Sequence, residues 1–214
     1  MSSTKLIRWS GLLLMLGGIG LAIHFITHPP GETAQYTLYP LWGLAHWLGG
    51  IAALLVLFGL IGVYLRQSEE LGMLGLVGFV LAFVGTALFA GVQLFGGAMI
   101  APFIAAQAPT WLDPGSPFAQ VTRFALLSVF LPLLLGYLIL GIATLRAHVF
   151  PHLGSWLIIL ITPIGVLGLA LIGSSLQGVL QILGGLVWGV GLLLWGYKLW
   201  SEKGEMVAQA KPAV

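Results

Sequence analysis

Cysteine is absent from the sequence and charge is scarce, with only 7% of residues being Asp, Glu, Lys or Arg. Without thiols there can be no disulfides, thiolate metal sites, iron–sulfur clusters or covalently attached haem. An ordinary soluble domain is about 25% charged, so a water-soluble fold of this composition would lack the polar groups to cover its surface. The chain also has no Walker loop, no dinucleotide fingerprint and no His-Glu-x-x-His zinc motif. No stretch alternates apolar and polar residues as the strands of a membrane barrel do.

What is present is apolar. Hydrophobic residues make up 59% of the chain, glycine contributes 31 residues, and the mean hydropathy is +1.06. An α-helix needs about 20 apolar residues to cross the hydrocarbon core of a bilayer. Six runs fit that length, at 7–26, 41–65, 71–94, 122–145, 155–173 and 177–199. The sequence therefore predicts an all-α polytopic transmembrane bundle, one domain over 1–200 followed by a short tail at 201–214. The first run follows Lys5 and Arg8, as a signal peptide would. Its apolar stretch from Trp9 to Ile26 is longer than the ~7–15-residue signal core, and Thr27-His28-Pro29-Pro30 follows it in place of a small-x-small cleavage site. It reads as a retained span.

The few charges predict the orientation. Lys5 and Arg8 precede the first run, Arg66 follows the second, Arg146 the fourth, and Lys198, Lys203 and Lys211 lie at or beyond the end of the sixth. With alternating spans all of these fall on one side, while the other side holds Glu32, Asp113 and Arg123. The positive-inside rule puts the Arg66 and Arg146 turns and both ends of the chain in the cytoplasm. These basic residues serve topology, so the positive net charge is no sign of nucleic-acid binding. The outer connections are then 27–40 and 95–121. The third helix is expected to overrun the membrane or bend near Pro102, with Trp111 at headgroup depth. Tyr36, Tyr39 and Trp42 would mark the outer interface, and Trp195, Tyr197 and Trp200 the inner one.

Two inner turns share a pattern. Leu65-Arg66 leads to Leu71-Gly72, and Leu145-Arg146 leads to Leu153-Gly154, consistent either with duplication of a hairpin or with convergence on one kind of turn. This Leu-Arg…Leu-Gly pattern resembles that of small bacterial multi-span inner-membrane proteins with no assigned activity. The resemblance covers these hairpins and implies the six-helix topology alone. Gly72, Gly75 and Gly78, and the pair Gly185 and Gly189, make small-residue faces that allow close helix approach. Such faces serve packing within the bundle or contact with a second copy or another membrane subunit.

No Asp, Glu or Lys falls mid-span, which argues against a proton-coupled pump or a carrier with an acidic coupling site. The histidines are the remaining lead. His24 near the outer end of the first span and His46 near the outer start of the second lie at similar depth. Gly17 and Gly20 share a face with His24, and Gly43, Gly50 and Ala53 share one with His46. Two imidazoles beside small residues could ligate haem b axially. Alternatively His24 and His28, at i and i+4, could join His46 in a zinc or copper site, with Glu32 adding an oxygen. Gln93, Arg123, Gln177 and Gln181 fall at the same depth and could line an outer polar vestibule. His148 and His152 lie in an inner turn where Pro151 argues against helix, and a plain loop is expected there. On sequence grounds the chain is a non-enzymatic scaffold, an accessory subunit or a binder of a lipid-like molecule, with a small electron-transfer haem protein or a small-molecule transporter as the other readings.

Overall fold

The computed structural model describes residues 3–202, and these form helices without a strand. The long elements are α1 (Ser3–Thr27), α3 (Trp42–Arg66), α4 (Ser68–Gly91), α6 (Pro117–Ala147), α7 (His152–Ala170) and α8 (Gln177–Ser201). The short α2 (Ala34–Thr37) lies between α1 and α3. Beyond α4 the helix runs on as a π-helical segment, Val92–Ile100, then α5 (Ala101–Gln107) and a 3-10 turn, Pro109–Leu112. Among the described residues six helices are long and apolar enough to cross a membrane, the third being the continuous Ser68–Gln107 rod. Most of the 95–121 connection is therefore helical, and Pro102 stands in the first turn of α5 without ending the rod. Lys203 and Lys211 lie outside the described residues, as does all of the expected tail except Ser201 and Glu202.

The six long helices close into a ring in chain order. Each packs against the next, and α1 completes the ring by lying along α8. Glycine makes two of these contacts possible. A Cβ on Gly18 would fall 2.6 Å from the carbonyl oxygen of Gly189, and one on Gly11 would fall 2.7 Å from that of Gly196. The α1–α8 seam is thus two glycine-on-glycine contacts seven residues apart on each helix. Between α4 and α6, Gly78 meets the backbone of Leu140, and Gly85 and Gly136 meet the backbones of Leu133 and Ala82. Gly185 lies against Phe25. The glycine faces read from the sequence are used inside the chain, except at Gly72, which is exposed.

Because backbone meets backbone, a side chain added at Gly18 has nowhere to go. Gly18→Leu should cost about 1–3 kcal/mol, the usual price of overpacking, seen as a lower melting temperature in detergent. Gly43→Ala is the control, since no atom lies within 4 Å of its added carbon. Equal melting temperatures for the two variants would refute the close seam.

The two inner turns are built differently despite their shared sequence. Gly72 has φ 57° and ψ −162°, which breaks the helix after the first turn of α4 and needs glycine. Gly154 is helical, and its missing side chain admits the ring of Trp195. In the second turn the left-handed residue is His148, at φ 55°. Pro132 and Pro163 lie inside α6 and α7 without dividing either. Ser116 caps α6 by accepting the N–H of Ala119, with Pro117 at the first helical position.

The ring's outer faces carry large apolar side chains, among them Phe58, Met73, Leu131 and Val190, all exposed. The core holds Trp188, Tyr137, Phe89, Leu192 and Leu21. Two aromatic residues expected at interfaces are instead fully inside: Trp42 is 1% exposed and Trp195 0%. Each is drawn in by a hydrogen-bond partner, the Gly97 carbonyl for Trp42 and Ser155 for Trp195. At the end of α8, Glu202 takes hydrogen bonds from Arg66 at 2.7 Å and Lys198 at 3.1 Å. Burial opposes ionisation of Glu202, but these two cations outweigh it and hold its carboxyl below the usual range.

Candidate functional site

Four segments bring polar side chains together at one end of the ring. The end of α1 supplies His24 and, just after it, His28. The start of α3 supplies Trp42 and His46, the π segment Gln93, and α8 Gln181. Ring centroids are 4.7 Å apart for His28 and His46, 5.2 Å for His24 and His28, and 6.1 Å for His24 and His46.

Glycines make room for these rings. A Cβ at Gly49 would lie 2.7 Å from Nδ1 of His24, and one at Gly97 would overlap the His46 ring. The π segment explains how Gly97 comes to hold Trp42. The N–H of Ala101 reaches back five residues to the carbonyl of Gly96. The next bond in that pattern would run from residue 102 to Gly97, but Pro102 has no N–H to give. The Gly97 carbonyl is left without that intrahelical donor and accepts the Trp42 indole N–H at 2.7 Å.

Backbone carbonyls set the histidine tautomers, because a carbonyl oxygen only accepts. His24 Nδ1 lies 2.8 Å from the Ala45 oxygen, His46 Nδ1 2.8 Å from the Trp42 oxygen, and His28 Nδ1 2.7 Å from the Pro29 oxygen. Each Nδ1 therefore carries the ring proton of the neutral imidazole and donates it, which leaves every Nε2 as a lone pair. For His24 that lone pair is satisfied by the Gln93 amide at 3.0 Å. The Gln181 amide donates to the His28 carbonyl at 2.9 Å and also lies 3.4 Å from His28 Nδ1. The shorter contact to Pro29 decides where the His28 proton resides. The Nε2 atoms of His28 and His46 face each other at 3.2 Å. Burial, then the neighbouring His24 and His46, lower the pKa of His28 from 6.5 to about 3.

No family model, curated protein or solved structure matches this chain. The cluster must therefore be read from its own chemistry. Three neutral imidazoles with fixed tautomers, two amides and an indole form a preorganised set of donors and lone pairs, the kind of environment in which an electron-pair acceptor is held.

Several expected sites take a different form. The haem pairing of His24 with His46 needs a slot between α1 and α3, and none opens. Gly17 packs on Val56 and Gly20 on Ala52, so the glycines serve direct contact between the two helices. His24 is enclosed edge-on by Phe25 and Phe89, with Gln93 on its Nε2. The three-histidine metal set does converge, but the Nε2 of His24 is engaged elsewhere. Among the described residues no group of three or more His, Asp or Glu side chains is arranged to hold a metal ion. Glu32 is exposed in the connection after α1. Of the polar vestibule, Gln93 and Gln181 join the cluster while the other two residues serve local turns. Gln177 accepts the Gly173 N–H, and Arg123, exposed, donates to the Pro114 carbonyl. His148 is the left-handed C-cap of α6 and His152 opens α7, so the two do not share a helix, yet Nδ1 of His148 lies 3.0 Å from Nε2 of His152 on the surface. Trp42 and the Gly97 carbonyl were not foreseen as members of the cluster, and Gly96-Gly97 followed by Pro102 was the available signal.

Proposed function

We propose that the protein is a multi-pass membrane protein with both ends in the cytoplasm, without catalysis of its own. In this reading it acts as a binder or accessory subunit whose ligand site is the histidine cluster near the outer face. The observation that carries the reading is the convergence of polar groups, three histidines among them, from four separate segments at one end of the ring. A polar cluster of this size, built on glycines that clear space for it, is costly to keep in an apolar bundle unless it is used. The basic residues Arg66, Arg146 and Lys198 belong to the opposite end, which favours the cytoplasm for that end.

Holding a ligand fits better than passing one through. The inner end has its own buried polar groups, Ser10, Gln67, Thr144 and Ser155. Between the two ends the fully buried Leu14, Leu21, Val56, Leu60 and Leu192 are apolar, and the hydroxyls of Thr86 and Tyr137 bond to each other at 3.0 Å.

The absence of cysteine makes the topology directly testable. Glu32→Cys and Ser116→Cys should react with a membrane-impermeant maleimide in intact cells. Glu69→Cys and His148→Cys should react only after permeabilisation. The reverse pattern would place the histidine cluster on the cytoplasmic side and defeat the proposal.

A further inference from the structure

The facing imidazoles of His28 and His46 are one cation short. Besides the Gln181 amide donor 3.4 Å from His28 Nδ1, these two rings make three contacts with acceptors: Nδ1 of His28 to the Pro29 carbonyl, Nδ1 of His46 to the Trp42 carbonyl, and Nε2 to Nε2. Each contact sets two lone pairs, both hydrogen-bond acceptors, against each other unless a hydrogen or another electrophile lies between them. Two neutral imidazoles supply two hydrogens. Moving the His28 hydrogen to Nε2 would mend the ring-to-ring contact and leave two lone pairs facing at 2.7 Å instead. No neutral arrangement of the pair satisfies all three contacts.

From this count and its geometry we propose that His28 and His46 form a two-imidazole site for a late first-row transition-metal cation of the zinc and copper class. The proposal rests on reading the cluster as the ligand site, and it names the ligand. Three observations support it. Imidazole is a preferred donor for this class of cation. Zinc–nitrogen bonds of about 2.0–2.1 Å at a tetrahedral angle place two donor atoms about 3.3–3.4 Å apart, close to the observed 3.2 Å. A shared proton would draw the nitrogens nearer, since charge-assisted hydrogen bonds are shorter than neutral ones. The third observation is the outer arrangement. Metal-bound histidines almost always donate their other ring N–H to a carbonyl or carboxylate, which fixes tautomer and ring orientation. Both rings do so here before any metal arrives.

The remaining coordination positions belong to water or to a group from outside, because His28 is only partly covered. His24 is a neighbour of the metal and not one of its ligands, its Nε2 being held by Gln93 at 3.0 Å. The exposed pair of His148 and His152 differs in kind. Its single ring-to-ring contact at 3.0 Å needs one hydrogen, which either neutral ring provides.

Zinc chloride titrated into the chelator-stripped, detergent-solubilised full chain tests the site, with a chromophoric chelator as competitor. One equivalent should bind. His28→Gln and His46→Gln should each weaken binding at least tenfold, and His148→Gln should leave it unchanged. Nitrogen-15 spectra of the wild-type imidazoles give a readout independent of any variant's folding: two Nε2 resonances should move on adding zinc while their Nδ1 atoms stay protonated. Absence of stoichiometric zinc binding, or three N–H signals shared between the two rings without metal, would overturn the proposal in favour of a proton-bridged pair. Loss of zinc on His148→Gln would overturn it in favour of the opposite end. Binding in detergent does not depend on orientation, so this result is separate from the maleimide test of topology.

Discussion

Replacing Gly97 with leucine should destabilise the protein by about 2–5 kcal/mol, whereas the same change at the adjacent Gly96 should cost less than about 1 kcal/mol. The difference comes from what each new side chain would meet. At Gly96 the nearest atom is a methyl of Val92 at 3.8 Å, ordinary contact distance. At Gly97 the added carbon falls on the His46 ring, which cannot retreat without giving up its bond to the Trp42 carbonyl. Overpacking alone costs about 1–3 kcal/mol. If the π segment shifts to relieve the clash, the Trp42 indole loses the Gly97 carbonyl and becomes an unpaired buried donor, worth about 1–3 kcal/mol more. The two costs are partly alternatives, so the total stays below their sum at full value. Thermal unfolding of the two variants in the same detergent checks the claim. Similar melting temperatures for both would show that Gly97 is not wedged against His46. Because the displaced ring is a proposed ligand, Gly97→Leu should also lose zinc binding even where it remains folded.

The long apolar runs made the six helices legible in sequence, because length and hydropathy are local properties. The third helix was longer than its apolar run suggested. Val92–Ile100 continues in π geometry through glycines and up to a proline, a combination that local propensity reads as an end. The depth of His24, His28 and His46 was legible from helix rise, and so was that of Gln93 and Gln181. What lay beyond the sequence was rotation. Gly17 and Gly20 look the same whether they clear space for a flat ligand or for Ala52 and Val56, and only the packing of α1 on α3 decides between them. The partner of Trp42 is 55 positions away, which no local pattern encodes. The Leu-Gly pairs show the same limit: one glycine meets a backbone need at φ 57°, and the other yields space to an indole from α8.

That indole carries the other large expected effect. Trp195 is fully buried, with Phe150 at 5.6 Å between ring centres and Gly154 against its edge. Trp195→Ala should cost about 3–5 kcal/mol, and the reason differs from that in a soluble core. In a bilayer the separated helices would expose the ring to lipid, which is as apolar as the interior, so little transfer free energy is at stake. The loss is the dispersion energy of contacts that the α7–α8 interface cannot remake around a cavity. The hydrogen bond from its Nε1 to Ser155, 3.3 Å long, contributes little, since interhelical bonds of this kind average about 0.6 kcal/mol. Trp195→Phe, which removes the N–H and keeps most of the ring, should therefore cost about 1 kcal/mol or less beyond its smaller volume. Trp195→Ala should lower the melting temperature several times as far. Equal losses for the two would mean that the hydrogen bond, and not the packing, holds α7 to α8. Neither change should alter zinc binding at the opposite end of the ring: the Trp195 hydrogen bond ends at Ser155 on α7, and the polar pair midway, Thr86 with Tyr137, lies on α4 and α6.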